Sequence, residues 1–112
     1  KVFALGASGG RRIIPAAVQI ASFLVDYDMD LETAFATPRL DLGGGEEITL
    51  DARLGTGIAA AVETVLPVRR MTPAVHPLLW ACPTAALFDP SSGTATGVAE
   101  PFHPWADAVA AD

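Results

Sequence analysis

The chain opens with an apolar stretch, Lys1-Val2-Phe3-Ala4-Leu5, that runs into Gly6-Ala7-Ser8-Gly9-Gly10 and then into the apolar segment beginning Arg11-Arg12-Ile13-Ile14. A strand, a glycine-rich turn and a helix in immediate succession leave few arrangements open. The backbone must turn sharply, so that consecutive N–H groups converge on one spot as the helix begins. The first N–H groups of a helix have no partner inside it, and the helix dipole adds a partial positive charge there. Such a spot accepts a phosphate, a carboxylate or the oxyanion of an acyl-transfer intermediate.

The first strand is expected over residues 2–5, bounded by Gly6, and the first helix over 12–27. In that helix Arg12, Gln19 and Asp26 recur every seven positions, with Ser22 beside them. This spacing predicts one narrow wet stripe on a helix that is otherwise buried. Pro15 is tolerated near a first turn, which puts the helix start close to the glycine turn. Asp30 is a cap for a short helix over 31–36 that Pro38 ends. Gly43-Gly44-Gly45 reads as a flexible loop. Strands are expected at 48–50, 67–71, 84–88 and 94–99, with a helix over 54–65 weakened at its start by Gly55 and Gly57. The last two strands form a hairpin around the turn Asp89-Pro90-Ser91-Ser92-Gly93, and the tail over 100–112, rich in proline and alanine, is expected on the surface.

At 112 residues the chain is one segment, 1–112, with a modest core. It is 51% hydrophobic with a mean hydropathy of +0.38, rich enough to suggest surface meant for a partner. It begins at Lys1 and enters its first strand at once, and it is expected to be a piece of a larger protein. A net charge of −6 argues against a basic nucleic-acid surface. No apolar run reaches the roughly 18–20 residues of a membrane span, since Gln19 and Ser22 interrupt the longest one. Cys82 is alone, and His76 and His103 are too few and too far apart to argue a zinc site. No metal and no cofactor is expected.

Three readings of the glycine turn compete. A dinucleotide or phosphate site has the right strand–turn–helix context, but Gly6, Gly9 and Gly10 do not form G-x-G-x-x-G and no P-loop lysine follows. Gly6-Ala7-Ser8-Gly9-Gly10 does match the G-x-S-x-G nucleophile elbow, with Asp89 and His103 in the order acid then base. Against it, an elbow normally follows several strands, and here one precedes it.

The third reading rests on a longer stretch. Residues 5–42, LGASGGRRIIPAAVQIASFLVDYDMDLETAFATPRLDL, resemble the γ-glutamyltransferase family of N-terminal-nucleophile hydrolases. There a G-[SA]-x-G-G turn precedes an R-I-I/I-P helix, a D-[FY]-x-M helix end and an x-E-A-x-x-x-P-R segment. The matching pieces are Gly6 to Gly10, Arg12 to Pro15, Asp26-Tyr27-Asp28-Met29, and Leu31 to Arg39. Gly97-Val98-Ala99-Glu100-Pro101 looks like a weakened G-A-x-D-P-R. The chain departs from the pattern at four places. Ser8 stands where proline is common, Asp41 and Leu42 stand where histidines usually follow P-R, Cys82-Pro83 displaces a glycine, and the last arginine is missing.

The resemblance implies an α+β fold, part of a four-layer αββα sandwich of mostly antiparallel strands, with this chain as the C-terminal portion of the small subunit. It implies a protein that cleaves itself to expose an N-terminal threonine, which attacks a γ-glutamyl amide with its own α-amine as base. The acyl group then passes to water or an amino acid. That threonine lies outside this chain, so the fragment alone is expected to be inactive. What the resemblance assigns here is the oxyanion hole, the backbone N–H groups of Gly9 and Gly10. The implied partners are the rest of the small subunit, the large subunit of the same precursor and a γ-glutamyl small molecule, in a periplasmic or secreted setting. A non-catalytic homologue, kept as a binding domain on the same scaffold, is the competing class.

Other residues have plainer readings. Arg11 and Arg12 read as solvated charges at a helix start, and Ser8 as a loop hydroxyl satisfying local backbone, with substrate contact the alternative. Arg39 reads as a structural anchor, paired with Asp41 or across a subunit boundary. His76 reads as a loop residue, His103 as an interface or tail residue, and Cys82 as a small core residue.

Overall fold

The computed structural model describes residues 1–74 and 80–109; the reading of His76 lies outside them. In chain order the elements are β1 (Val2–Ser8), a 3-10 turn (Gly10–Arg12), α1 (Ile13–Val25), α2 (Leu31–Ala36), β2 (Leu40–Asp41), β3 (Ile48–Asp51), α3 (Thr56–Glu63), β4 (Val68–Met71), β5 (Cys82–Asp89) and β6 (Thr94–Ala99). The mixed α+β class is as expected, and among the described residues three of the four strand pairings are antiparallel.

One sheet has the order β1-β5-β6, all antiparallel. Strand alternation sends Phe3, Leu5, Leu87 and Val98 to one face, against a core of Ile20, Leu24, Leu31, Ala34, Phe35 and Ala85. The helices α1 and α2 cover that face. Asp30 caps α2 as expected, accepting from the Thr33 N–H at 2.8 Å. β1 runs three residues past its expected end because Gly6 takes an exposed position opposite Thr84, where a missing side chain costs little packing.

Pro83 explains how the hairpin ends. It continues the register one step beyond the Thr84↔Ala99 pair, facing Glu100. The Glu100 N–H donates to the Pro83 carbonyl at 3.0 Å, but proline has no N–H to return. The Glu100 carbonyl accepts from the His103 N–H at 3.2 Å instead, and the chain turns away from the sheet.

The second sheet has the order β2-β3-β4, with β2 antiparallel to β3 and β3 parallel to β4. Parallel neighbours need a crossover, and α3 supplies it. Ile48, Leu50 and Ala59 form the core of this unit, with Leu40, Leu54, Val62, Leu66 and Val68 around them.

Several expectations are corrected. The polar stripe of α1 is not wet along its length: Arg12 and Gln19 face β2, and Ser22 donates to Asp26 at 2.6 Å. Nor is the rest of α1 buried. Ile14, Val18 and Val25 are 70%, 62% and 65% exposed and form an apolar stripe at helical spacing. Glu100, placed on the surface with the tail, is buried. It pairs with Arg39, whose expected partner was Asp41 or another subunit. Beyond it Trp105 is exposed, and His103 stacks edge-on against Trp105 with centroids 5.6 Å apart.

Candidate functional site

The glycine turn sits where β1 leaves its sheet. Gly9 and Gly10 take φ of 133° and 60°, a pair of left-handed conformations that few side chains tolerate. A Cβ on Gly9 would lie 2.9 Å from the Ala81 Cα, so the turn also needs a bare backbone to pack beside the start of β5. A Cβ on Gly10 would meet nothing within 4 Å, so its requirement is the backbone angle alone. The 3-10 turn closes with the Arg12 N–H donating to the Gly9 carbonyl at 3.3 Å, and the Ile13 N–H donates to the Gly10 carbonyl. No side chain caps the 3-10 turn, and since the Arg12 and Ile13 N–H groups are taken within it, the N–H groups open to another acceptor are the earlier ones at the glycines, ahead of α1.

Two arginines and a second glycine segment surround the turn. Arg12 Nε lies 3.2 Å from Asp41 Oδ2, so Arg12 is not the solvated charge expected of it. Asp41 is buried, and burial pushes its carboxyl above the usual range against the pull of Arg12. Gly43 lies against this pair, since a Cβ there would be 3.3 Å from Asp41 Oδ2. Gly44, at φ 80°, lies against Arg11, where a Cβ would be 3.3 Å from the Arg11 Cδ. Gly43 and Gly44, in a segment expected as a flexible loop, therefore lie against Arg12 and Arg11. β2 is tied to α1 as well, for Gln19 donates to the Leu40 carbonyl at 2.8 Å and accepts from the Leu40 N–H at 2.9 Å.

The sequence-predicted site residues separate into two groups. Gly9 and Gly10 stand together at the start of the 3-10 turn that leads into α1, with Ser8 exposed as the last residue of β1 opposite Cys82. Burial raises the Cys82 thiol, as does the charge of Glu100, while the Ser8 hydroxyl opposes them. The elbow triad is not assembled. Asp89 lies seven residues along β5 from the partner of Ser8, about 23 Å at roughly 3.3 Å per residue, and is engaged with Ser91 at 2.6 Å. The dinucleotide reading fails too, because β1 belongs to an antiparallel sheet rather than a parallel βαβ unit. Sequence reasoning missed Asp41, Gln19, Gly43 and Gly44. The available signal was Asp41 standing where the resembled family carries histidines.

Among the described residues no group of histidines, cysteines and carboxylates could hold a metal, and no helix is long and apolar enough to cross a membrane.

No family model matches the chain, and no curated protein matches it by sequence. Solved structures do match. A γ-glutamyltranspeptidase from Pseudomonas nitroreducens complexed with L-DON superposes with a TM-score of 0.72 at 18% identity, over 97% of this chain and 55% of that one. The transpeptidase CapD of Bacillus anthracis gives a TM-score of 0.72 at 16% identity, over 95% of this chain and 63% of that one. A cephalosporin acylase from Bacillus halodurans gives 0.75 at 19% identity, over 88% of this chain and 18% of that one. The chain thus spans about half the length of the γ-glutamyltranspeptidase it matches. The fold of this chain matches that of about half of the γ-glutamyltranspeptidase chain, and its motifs resemble the same family.

Proposed function

We propose that this chain is the C-terminal part of the small subunit of a γ-glutamyltransferase-like hydrolase, and that it contributes the oxyanion hole. In the complete protein a threonine outside this chain attacks a γ-glutamyl amide, and the backbone N–H groups of Gly9 and Gly10 stabilise the oxygen that becomes negative. The observation that carries this reading is the pair of left-handed glycines that open the 3-10 turn ahead of α1, with no side-chain cap, within a fold shared with transpeptidases and an acylase. Donors fixed before charge develops need no reorganisation when it does, and losing one typically costs about 10²–10³ in kcat. Arg11 adds positive potential at the same turn, while the charge of Arg12 is offset by Asp41.

The remaining parts of the proposal follow. The complete fold is a four-layer αββα sandwich, with residues 1–112 as one segment of it. The exposed stripe Ile14, Val18 and Val25 supports docking against the rest of the precursor. Water and amino acids are the acceptors, and the compartment is periplasmic or secreted. The test is release of p-nitroaniline from L-γ-glutamyl-p-nitroanilide by the complete, processed protein and by this chain alone. Activity in the first and none in the second is expected. Activity in neither contradicts the reading, and activity in the isolated chain contradicts a nucleophile outside it.

A further inference from the structure

We propose that Asp41 is a positioning residue for the glycine turn, holding the Gly9 and Gly10 amides in register through its ion pair with Arg12. The inference rests on the reading of those amides as an oxyanion hole. Arg12 is the residue that closes the 3-10 turn, donating its N–H to the Gly9 carbonyl. A group that fixes the Arg12 side chain therefore restrains the turn at its third residue. Its partner is an anchor rather than a mobile surface charge. Asp41 is 5% exposed and sits on β2, which is registered on β3 through Leu40↔Leu50 and Asp41↔Thr49. The same strand is clamped to α1 by the paired hydrogen bonds of Gln19 to Leu40. β2 thus grips α1 at two points, one of them in the turn itself. Gly43 makes the pairing possible, since a side chain there would press on Asp41 Oδ2. Exposed ion pairs contribute little because both ends wander; here one end is fixed and desolvated. Among the described residues, the charged group set against Asp41 is Arg12.

The test uses the complete protein with Asp41→Asn, Asp41→Glu and Arg12→Gln. Two readouts are taken, hydrogen exchange of the peptide spanning residues 8–13 and steady-state kinetics on γ-glutamyl-p-nitroanilide. Asp41→Asn should speed exchange in that peptide about tenfold and lower kcat about tenfold, with KM changed less than about twofold. Asp41→Glu should recover part of both effects. Arg12→Gln, at a half-exposed position, should reproduce the loss without threatening the fold, and the double variant should be little worse than either single one. Unchanged exchange in Asp41→Asn and Arg12→Gln would overturn the proposal whatever the kinetics. Faster exchange with unchanged kcat would overturn the positioning role and leave a structural tie. A wild-type protein without hydrolysis would instead overturn the hydrolase reading, and the exchange data alone would then decide the tether.

Discussion

Glu100→Ala is the substitution with the largest effect on the fold that these contacts define. Arg39 and Glu100 are 61 residues apart in sequence and bonded at 2.5 Å, with side chains only 8% and 5% exposed. Among the described residues, the Arg39 guanidinium has one other hydrogen-bond partner, the Phe35 carbonyl at 3.1 Å. Removing the carboxylate leaves a guanidinium buried at the end of α2 with a single neutral acceptor. Breaking a buried pair on one side typically costs about 3–5 kcal/mol, because the surviving charge stays desolvated. Whole domains are stable by only about 5–15 kcal/mol, so this is a large share. Urea unfolding followed by circular dichroism gives the number, with an unchanged m-value required for a clean comparison. Glu100→Gln keeps an acceptor and should lose less, about 1.5–3 kcal/mol. The double replacement Arg39→Met with Glu100→Leu should recover most of the loss, since an apolar pair needs no compensating charge. A Glu100→Ala variant within about 1 kcal/mol of wild type would refute the reasoning, and so would a double replacement worse than the single.

Further outcomes are expected. Gly9→Ala should destabilise more than Gly10→Ala in thermal melts: the first meets the Ala81 backbone at 2.9 Å, while the second faces only the left-handed backbone cost of about 1–2 kcal/mol. Asp41 has a raised carboxyl, so its contribution to stability is fully present below the ordinary carboxylate pKa and is lost as pH rises through its folded value. Stability of Asp41→Asn relative to wild type should therefore improve from acid toward neutral pH, and a relative stability that falls over that range would contradict the assignment. Ile14→Lys with Val18→Lys should change the melting free energy by less than about 0.5 kcal/mol per site yet weaken assembly with the rest of the precursor, measured by co-purification. Ser8→Ala should leave activity and fluorophosphonate labelling unchanged; stoichiometric labelling at Ser8 would revive the elbow.

The elements that local chemistry determines were legible. The Asp30 cap, the Pro38 stop and the turn at residues 89–93 each act within a few residues, and the structure has them where expected. Elements that depend on distant partners were not. β2 is two residues long and exists because β3 pairs it and Gln19 clamps it, neither of which leaves a local pattern. The polar stripe of α1 was visible, but periodicity cannot say whether a polar face meets water or a strand edge, and Arg12 and Gln19 meet the strand. Arg39 was recognised as an anchor, while its partner lies 61 positions away in a tail whose composition suggested surface. At the candidate site the two glycines were legible as a turn needing bare backbone. Asp41, Gly43 and Gly44 were not, because only the folded chain brings the second glycine segment onto Arg11 and Arg12.

The central claim is that the Gly9 and Gly10 amides act on developing charge. Gly10→Ala in the complete, processed protein tests it most directly, since its Cβ meets nothing within 4 Å and only the backbone angle is disturbed. Kinetics on the folded fraction, with a melting curve beside them, should show kcat reduced by about 10²-fold or more and KM little changed, because such donors matter most in the transition state. A folded Gly10→Ala protein with near wild-type kcat would contradict the account and leave the turn as scaffold.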